Sequence, residues 1–481
     1  MGKPVINFLS EAEVKKIHEA TLEVLEKTGV KTDSKEALDI LKESGANVDY
    51  ESKRVTIPAK AIEQALRRAP KTIKLCGRDP KYDVILDKTK THFTTSGFAP
   101  HIMDWETGKS RNSTNEDLAR WARLVDYLDN IHLTWTSLVA NDIPPLMQAF
   151  VELATFFRNT SKHIVPNALD ARTARYQIEI AAAVAGGRKE LKKRPLISPL
   201  VCPAAPLTYD KGATEAAIEF ARAGLPIVCL PMPLAGATGP VTPLGVSVVN
   251  NAEFLGNLVI QEFASPGAPV IYGSTTTVAN PRTAMSVLGA PERSVIQMIL
   301  AQLASYYKLP CMLAGDNSDA KMPDFQCGFE KTMTLTTIVL MGNVDIVVGP
   351  GCLDTGSAMS PEALVIDNEI TKGVMRIRRG FEVDAGNLAL DVIHKVGPGG
   401  IYLGEKHTLK RYKEEIWMPE LIYNDSYDNW VKAGSRTMYE VAKEKVKEIL
   451  ATHKVEPLPD DVEAKVSQIL KSAEAEFLKK S

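Results

Sequence analysis

The chain has 481 residues, of which 57 are lysine or arginine and 59 are aspartate or glutamate, so its formal net charge is -2. A charge this close to zero gives no general attraction to nucleic acid or to an anionic membrane, and neither is expected as a partner. The six cysteines lie far apart, and no apolar run reaches the roughly 18 residues of a membrane span. These features predict a cytoplasmic protein without a signal peptide or a disulfide framework.

The N-terminal part of the chain predicts a small α+β segment. A capping box at Ser10 and Glu13 begins an amphipathic helix that Gly29 ends. Two more helices are expected over residues 34–44 and 59–68, with short strand-like runs around the third helix. We therefore interpret the first 90 residues as an accessory layer that precedes the main domain.

The middle of the chain contains eight apolar runs at regular spacing. These runs begin near His92, Ile131, His163, Leu196, Pro226, Ala268, Pro310 and Val344. Successive starts are 30 to 42 residues apart, which is the length of a strand and a returning helix. Because eight right-handed βα units close into a barrel, we predict an α/β protein whose residues 91–379 form a (β/α)8 TIM barrel.

Two further segments decorate the predicted barrel. Residues 101–113 interrupt the first βα unit, and the sequence Glu-Thr-Gly-Lys at residues 106–109 is typical of a hairpin turn. Residues 380–481 are rich in charge and in helical patterning, so we predict a C-terminal helical layer. Both segments are candidate docking or lid surfaces, although ordinary structural decoration explains them equally well.

The strongest candidate for a functional site is the stretch PCMLAGDNSDAKMPDFQCGFEK, which covers residues 310–331. An apolar run stops at Gly315 and is followed at once by Asp316, Asn317 and Asp319. Active sites of TIM barrels lie at the carboxyl ends of the strands, so these side chains are expected at the mouth. Two acids there cost solvation energy unless they are used or exposed, and the alternatives are a solvated turn or a helix cap.

Three segments carry a resemblance to a known family. The sequences GDNSDAKMPDFQCGFEK, GNVDIVVGPGCLDTG and SPEALVIDNEI resemble the trimethylamine methyltransferase family, and the likeness runs through nearly the whole chain. The family comprises corrinoid-dependent enzymes with a barrel fold. The resemblance implies transfer of a methyl group from a methylated amine to Co(I) of a cobalamin, which a separate cognate corrinoid protein carries.

The substrate implied by this resemblance depends on one departure from the family pattern. The archetypal trimethylamine enzymes contain pyrrolysine at the barrel mouth, whereas this chain contains only the twenty standard residues. Members without pyrrolysine are similar to enzymes that demethylate quaternary amines, so glycine betaine is favoured. Proline betaine, carnitine and trimethylamine stay open as substrates, and the accessory helices would allow a homo-oligomer.

A quaternary ammonium leaves as a neutral tertiary amine and needs no proton, so its site must mainly hold a cation against aromatic faces and negative charge. The residues predicted to be catalytic are Asp316, Asp319 and Glu330. The residues predicted to bind substrate are Phe98, Asn167, Tyr272, Asn317 and Gln326. Each aromatic residue could equally be core material, and Gln326 with Glu330 could be a plain surface pair on one helix face.

Two other functions remain open from the sequence. Cys202, Cys229, Cys311 and Cys352 lie on or just after predicted strands, as in a zinc-thiolate methyltransferase. No closely spaced Cys/His pair supports zinc, and buried cysteines often act as small apolar residues, so no metal is expected. The barrel could also be a subunit that binds a betaine without transferring its methyl group.

Overall fold

The computed structural model describes residues 4–104 and 106–478. Eight parallel strands form its central sheet: His92–Thr94, Leu133–Trp135, His163–Val165, Leu200–Val201, Ile227–Cys229, Val270–Ser274, Cys311–Ala314 and Ile346–Val348. Strands that are consecutive in the chain are neighbours in the sheet, and the eighth strand pairs with the first. Single bridges from Ile164 to Ile197 and from Asn167 to Leu200 join the third strand to the fourth. The predicted TIM barrel is confirmed, and each predicted apolar run leads into one strand.

One helix follows each strand and packs outside the barrel. These helices are Asn115–Tyr127, Gln148–Asn159, Ala171–Ala185, Lys211–Ala223, Pro243–Ala264, Pro291–Tyr306, Phe325–Leu340 and Pro361–Arg379. Six of the eight begin after a Ser, Thr or Asp whose side chain accepts a hydrogen bond from a backbone N–H in the first turn. Such caps satisfy donors that a helix start leaves free, which explains why the helices begin directly at the mouth loops.

The interior of the barrel is filled at its N-terminal end. A hairpin formed by Ile73–Leu75 and Val84–Leu86 packs its apolar side chains into the cluster of inward-facing strand residues. The Cys76 N–H donates to the carbonyl of Pro195, which lies ahead of the fourth strand. The hairpin therefore plugs the bottom of the barrel and leaves the opposite end, the mouth, for a site.

The N-terminal segment covers one side of the barrel. Its strands Val30–Thr32, Asn47–Asp49 and Arg54–Thr56 form a small sheet with Thr208–Tyr209, which follows the fourth barrel strand. Its helices are Glu11–Glu23, Lys35–Glu43 and Ala59–Arg68, and all three pack on the helix Pro243–Ala264. The capping box at Ser10 and Glu13 is present, and a π-helical turn over Val24–Thr28 continues the first helix to Gly29, which has a φ of 73°. The division of the chain at residues 90 and 379 stays a prediction.

The mouth carries two small sheets built from loops. The insertion forms the predicted hairpin, with His101–Met103 paired to Ser110–Asn112. The loop after the eighth strand extends this hairpin through Ala358–Met359, which pairs with His101–Met103. The second sheet consists of Leu234–Ala235, Thr277–Ala279 and Ser286–Val287. Loops after strands one and eight, and after strands five and six, are thus tied together in pairs.

The C-terminal part is helical, as predicted. Its helices are Ala385–Leu388, Leu390–Val396, Lys406–Glu415, Tyr427–Lys432, Met438–Thr452 and Asp460–Phe477. The last two pack on barrel helices and bury apolar residues such as Val446 and Val466. The first four bury none of their own residues. Within residues 4–104 and 106–478, none of the helices has both the length and the apolar character that a membrane crossing requires.

Candidate functional site

A fully buried ion cluster lies behind the carboxyl ends of the seventh and eighth strands. Lys331 reaches from the helix after the seventh strand and places its Nζ 2.7 Å from Oδ2 of Asp367 and 3.8 Å from Oδ1 of Asp316. The same ammonium donates to the Asp316 carbonyl over 3.0 Å. The Gly351 N–H, from the loop after the eighth strand, donates to Asp367. The cluster therefore joins two strand ends to the two helices that follow them.

The two carboxyl groups of this cluster differ in how strongly Lys331 stabilises their charge. Burial raises the pKa of Asp316 well above its ordinary value, and the nearby Asp367 carboxyl adds to that rise against the opposing effect of Lys331. Burial alone would lower the pKa of Lys331, but Asp367 and Asp316 outweigh it and raise that pKa. Lys331 is more closely paired with Asp367, and neither carboxyl oxygen of Asp316 has a hydrogen-bond partner, so the cluster stabilises the charge of Asp316 less than that of Asp367.

An aromatic pair lies at the mouth, at the ends of the first and second strands. The ring of Phe98 packs against that of Trp135 with the centroids 5.6 Å apart. Phe98 has a φ of 65°, which is rare for a residue other than glycine and costs conformational energy. Such strain persists where the surrounding structure enforces it, and it concentrates at functional sites.

Next to this pair, buried polar atoms lack partners within the protein. The hydroxyl of Thr94, the indole N–H of Trp135 and the amide oxygen of Asn317 all have none. The amide nitrogen of Asn317 lies 3.4 Å from the Ser96 hydroxyl, which ties the seventh strand end to the first. Because each unsatisfied buried group costs about 1–3 kcal/mol, their grouping at the mouth ends of the first, second and seventh strands is typical of a site that a polar ligand completes.

The other two predicted acids, Asp319 and Glu330, hold the mouth loops together. Asp319 accepts hydrogen bonds from the backbone N–H groups of Leu288 and Gly289 and from the Thr355 hydroxyl. One oxygen of Glu330 accepts from the Ser318 hydroxyl and from the Asp319 N–H. Both carboxyls therefore join loops after the sixth, seventh and eighth strands, and their predicted catalytic role stays a prediction.

Two predicted substrate-binding residues, Tyr272 and Gln326, lie away from the aromatic pair. Tyr272 is completely buried among the outer helices, where its ring packs on Phe254 and its hydroxyl donates to Asn251. The strand alternation turns Ile271 inward and Tyr272 outward, so the geometry argues against contact between Tyr272 and a ligand at the mouth. Gln326 is exposed and donates to Glu330.

Asn167, a further predicted substrate-binding residue, is half-buried just after the third strand, whose Val165 pairs with Trp135. Its carbonyl accepts a hydrogen bond from the Gln177 side chain. The binding role of Asn167 stays a prediction. Of the eight predicted residues, the structure thus brings Phe98 and Asn317 to the mouth, after the first and seventh strands. It places Asp316 directly behind them.

The sequence prediction missed Lys331 and Asp367. Lys331 closes the quoted stretch, but Asp367 lies 36 residues further along the chain, on the next helix. Only the apolar spacing of both helices, which places each polar side chain on a face that packs against the barrel, would have marked these residues as buried.

The described residues do not provide a set of side chains that could bind zinc. In the described part of the chain, His, Cys, Asp and Glu side chains nowhere gather in groups of three or more that could hold a metal ion. Burial raises the pKa of the Cys202 thiol to about 12 and that of Cys311 to about 11, which opposes the thiolate form that zinc requires.

Comparisons with known proteins agree with the fold and the resemblance. The family model described as trimethylamine methyltransferase (MTTB) matches residues 1–477. The chain is 36% identical to trimethylamine methyltransferase MttB of Desulfitobacterium hafniense strain DSM 10664 / DCB-2, over 97% of this chain and 94% of that protein. It is 32% identical to a glycine betaine methyltransferase of D. hafniense strain Y51, over 97% of each chain.

A solved structure supports the fold independently. The crystal structure of the Methanosarcina barkeri monomethylamine methyltransferase (MtmB) covers 98% of this chain with a TM-score of 0.53, at 12% sequence identity, and 88% of that chain is covered. At this identity the likeness concerns the barrel fold alone. The family match and the full-length relatives confirm the resemblance, and the chain is a methyltransferase that belongs to the trimethylamine methyltransferase (MTTB) family.

Proposed function

We propose that this enzyme transfers a methyl group from a quaternary amine, with glycine betaine favoured, to Co(I) of a cognate corrinoid protein and releases the tertiary amine. The observation that carries the proposal is the Phe98 and Trp135 pair, which lies at the mouth beside buried polar atoms without partners. Aromatic faces attract a quaternary ammonium by about 0.5–2 kcal/mol, depending on how far it is desolvated.

The polar atoms at the mouth fit the carboxylate tail of a betaine. The indole N–H of Trp135 and the hydroxyl of Thr94 are donors that remain unused within the protein. A carboxylate accepts such hydrogen bonds, whereas protonated trimethylamine has no acceptor and free trimethylamine has one nitrogen lone pair. A substrate with a carboxylate would gain more from these donors, which favours glycine betaine over trimethylamine.

The reaction of a quaternary amine requires no acid catalysis, and this agrees with the placement of the acids. Asp319 and Glu330 already accept hydrogen bonds from neighbouring loops, and Asp316 lies in the buried ion cluster. The chain's own contribution is then to bind the ammonium, to orient one methyl group toward the mouth and to exclude water. The methyl acceptor, a cobalamin in its Co(I) form, supplies the nucleophile from the partner protein.

The rim of the mouth offers an apolar surface for that partner. Loops after several different strands expose large apolar side chains, among them Leu169, Met232, Met285, Met322 and Phe325. Phe325, at the start of the helix after the seventh strand, is 88% exposed. Exposed apolar side chains clustered around a site are typical of a surface that another protein covers, and here that protein would be the corrinoid carrier.

The test mixes the purified enzyme with the reduced cognate corrinoid protein and one candidate substrate at a time. Loss of the Co(I) absorbance with appearance of methyl-Co(III) is expected with glycine betaine. Proline betaine, carnitine and trimethylamine serve as competitors that rank the specificity. A failure with all four substrates would contradict methyl transfer from these amines. Binding of glycine betaine by calorimetry without any methylation would instead identify a binding subunit.

A further inference from the structure

A cavity of about 680 Å³ lies at the N-terminal end of the barrel, which is the end opposite the mouth. Residues that lead into the first, second and eighth strands form one wall. The end of the helix Pro361–Arg379 and the helix Lys406–Glu415 form the other. The volume falls within the roughly 300–1,000 Å³ of small-molecule sites and exceeds what a single inorganic ion would fill.

Two residues that line this cavity have buried polar atoms without partners. His92 is 7% exposed, and within residues 4–104 and 106–478 neither of its ring nitrogens forms a hydrogen bond. Nη1 of Arg378 is also buried without a partner in those residues, whereas Nη2 of the same guanidinium donates to the Gly342 carbonyl. Because a guanidinium nitrogen can only donate, Nη1 requires an acceptor, and a ligand in the cavity would provide one.

The inner wall of the cavity, which we define as its buried and half-buried lining residues, has an excess of positive charge. In the described part of the chain, Glu415 is the only acid of this wall. Its carboxylate is shared by three guanidinium groups, at distances of 3.1, 3.7 and 4.0 Å from Arg376, Arg379 and Arg411. The other acids that line the cavity are exposed at its rim. The inner wall therefore attracts an anion.

Lys90 and His132 add two donors to the same cavity. Lys90 is exposed and forms no ion pair with the residues that the structure describes. Burial lowers the pKa of His132 to about 3, and the positive charge of Lys162 and Lys90 acts in the same direction, so the ring is neutral. Nδ1 of His132 accepts from the Phe93 N–H over 3.2 Å, which leaves the ring hydrogen on Nε2 as a donor.

We propose that this cavity binds a small organic anion through a carboxylate or phosphate group. Arginine and lysine bind both groups by charge-assisted hydrogen bonds, and Arg378 and Lys90 are the cations of the cavity that have no carboxylate partner. Met375 and Phe381 line the cavity as well and provide apolar surface for the rest of the ligand. The combination favours an organic anion over inorganic phosphate.

A ligand in this cavity would connect the barrel to the C-terminal helices. The helix Lys406–Glu415 buries none of its own residues, and a short helix draws most of its stability from tertiary contacts. An anion held between Arg378 and Arg411 would supply such a contact. We therefore expect the bound ligand to raise the amide protection of this helix against hydrogen exchange.

Calorimetry of the full chain tests the proposal with four probes. Phenyl phosphate and benzoate each combine an anionic group with an apolar ring, and inorganic phosphate and acetate are the same anionic groups without the ring. Saturable binding with one site per chain is expected for at least one of the two aromatic probes, and more tightly than for its counterpart without the ring. The comparison of phenyl phosphate with benzoate identifies the anionic group that the cavity prefers. Neither a corrinoid protein nor a methylated amine is present, so a failure of the proposed methyl transfer would not affect this result.

Two variants locate the binding. Lys90→Gln and Arg378→Gln should each weaken the affinity by about tenfold or more, because hydrogen bonds to charged groups typically contribute this much. Lys90 is exposed, so its substitution does not disturb the folded core. The matched control is Lys189→Gln, which changes an exposed lysine of the helix Arg188–Lys193 outside the cavity and should leave the affinity unchanged.

Two results would contradict the proposal. Absence of saturable binding with all four probes, at concentrations up to about 10 mM, would overturn it. Binding that survives both substitutions, or that an excess of glycine betaine displaces, would overturn the assignment to this cavity.

Discussion

Lys331 donates a hydrogen bond to Asp367 over 2.7 Å, and both side chains are completely shielded from solvent. The pair joins the helix after the seventh strand to the helix after the eighth. The same ammonium also lies 3.8 Å from Oδ1 of Asp316, so one charge stabilises the ends of both strands. A buried cation that serves two carboxyls is a sensitive point for stability.

The substitution Lys331→Met should strongly destabilise the enzyme. Methionine fills a similar volume but leaves Asp367 buried without its cation, and breaking a buried ion pair in this way typically costs about 3–5 kcal/mol. Chemical denaturation followed by circular dichroism measures the loss. The exposed pair of Lys465 and Asp461 supplies the control, since Lys465→Met should change stability by less than about 1 kcal/mol.

The double variant with Lys331→Met and Asp367→Leu distinguishes a charge effect from a packing effect. It removes the unpaired carboxylate and should recover part of the stability that the single variant loses. Equal or greater destabilisation of the double variant would show that the two side chains contribute through shape and not through charge.

The stability of the Asp316→Asn variant, relative to that of wild type, should increase as pH rises. The folded-state pKa of Asp316 lies above its unfolded value of roughly 3.9, so the folded state binds the extra proton and wild-type stability falls as pH rises from that value through the raised pKa. Asparagine resembles the protonated acid and cannot ionise. The melting temperature of the variant, relative to wild type, should therefore increase with pH above the ordinary carboxyl range.

The groups that face Asp316 from neighbouring elements are Lys331, Asp367 and the thiol of Cys327. Asp367 and Lys331 are present in both proteins but interact with the Asp316 carboxyl, so the pH dependence of the difference belongs to the whole cluster. Acids outside the cluster with raised pKa values, such as Glu253 at about 8, are the same in both proteins and cancel in the comparison. A difference in melting temperature that does not change with pH would contradict a raised pKa of Asp316.

The substitution Asp319→Asn should destabilise the loops that form the mouth. The carboxyl of Asp319 accepts from the N–H groups of Leu288 and Gly289 with two different oxygens, and an amide has only one oxygen to offer. The amide nitrogen would then face a donor, which costs about 1–3 kcal/mol. Melting temperature measures this cost, and methyl transfer should decline because the loops after the sixth and eighth strands are no longer fixed.

Thr355 supplies the control for this prediction. Its hydroxyl donates to Asp319, so Thr355→Val removes one of the three hydrogen bonds and should cost less than Asp319→Asn. The effects of the two substitutions should not add, because both act on the same carboxyl. Full additivity would indicate that the two residues stabilise the mouth independently.

The sequence predicted the barrel because eight buried runs recur at the length of a βα unit, a pattern that few other folds share. It could not predict which way Tyr272 points. A strand that is buried on both faces shows no alternation of polar and apolar residues, so the inward set cannot be told from the outward set. The pairing of Lys331 with Asp367 was equally hidden, because it depends on how two helices pack and not on local spacing.

The acids of the loop after the seventh strand illustrate the same limit. The sequence marked Asp319 as a candidate for chemistry because an acid at a strand end needs a reason to be there. The structure supplies that reason in two backbone N–H groups from a loop that lies 30 and 31 residues earlier in the chain. A carboxyl that is used in this way leaves no trace in the local sequence.

Substitution of Phe98 and of Tyr272 should separate a ligand-binding aromatic residue from a structural one. Phe98→Leu keeps an apolar side chain at the mouth but removes the aromatic face, so affinity for glycine betaine should fall by about 0.5–2 kcal/mol. Affinity for a neutral isostere, in which carbon replaces the ammonium nitrogen, should change little. Calorimetry with both ligands measures the difference.

Tyr272→Leu removes the ring together with the hydroxyl that donates to Asn251 in the outer layer. The loss should lower stability by about 2–5 kcal/mol, as for other substitutions that shrink a core side chain, and leave both affinities unchanged. If Tyr272→Leu weakened binding of the cation while Phe98→Leu did not, the site would lie on the outer side of the sixth strand, and the aromatic pair at the mouth would be core packing. We expect the Phe98 substitution to weaken binding and the Tyr272 substitution to leave it unchanged. Phe98 packs on Trp135 at the mouth, whereas Tyr272 packs on Phe254 outside the barrel.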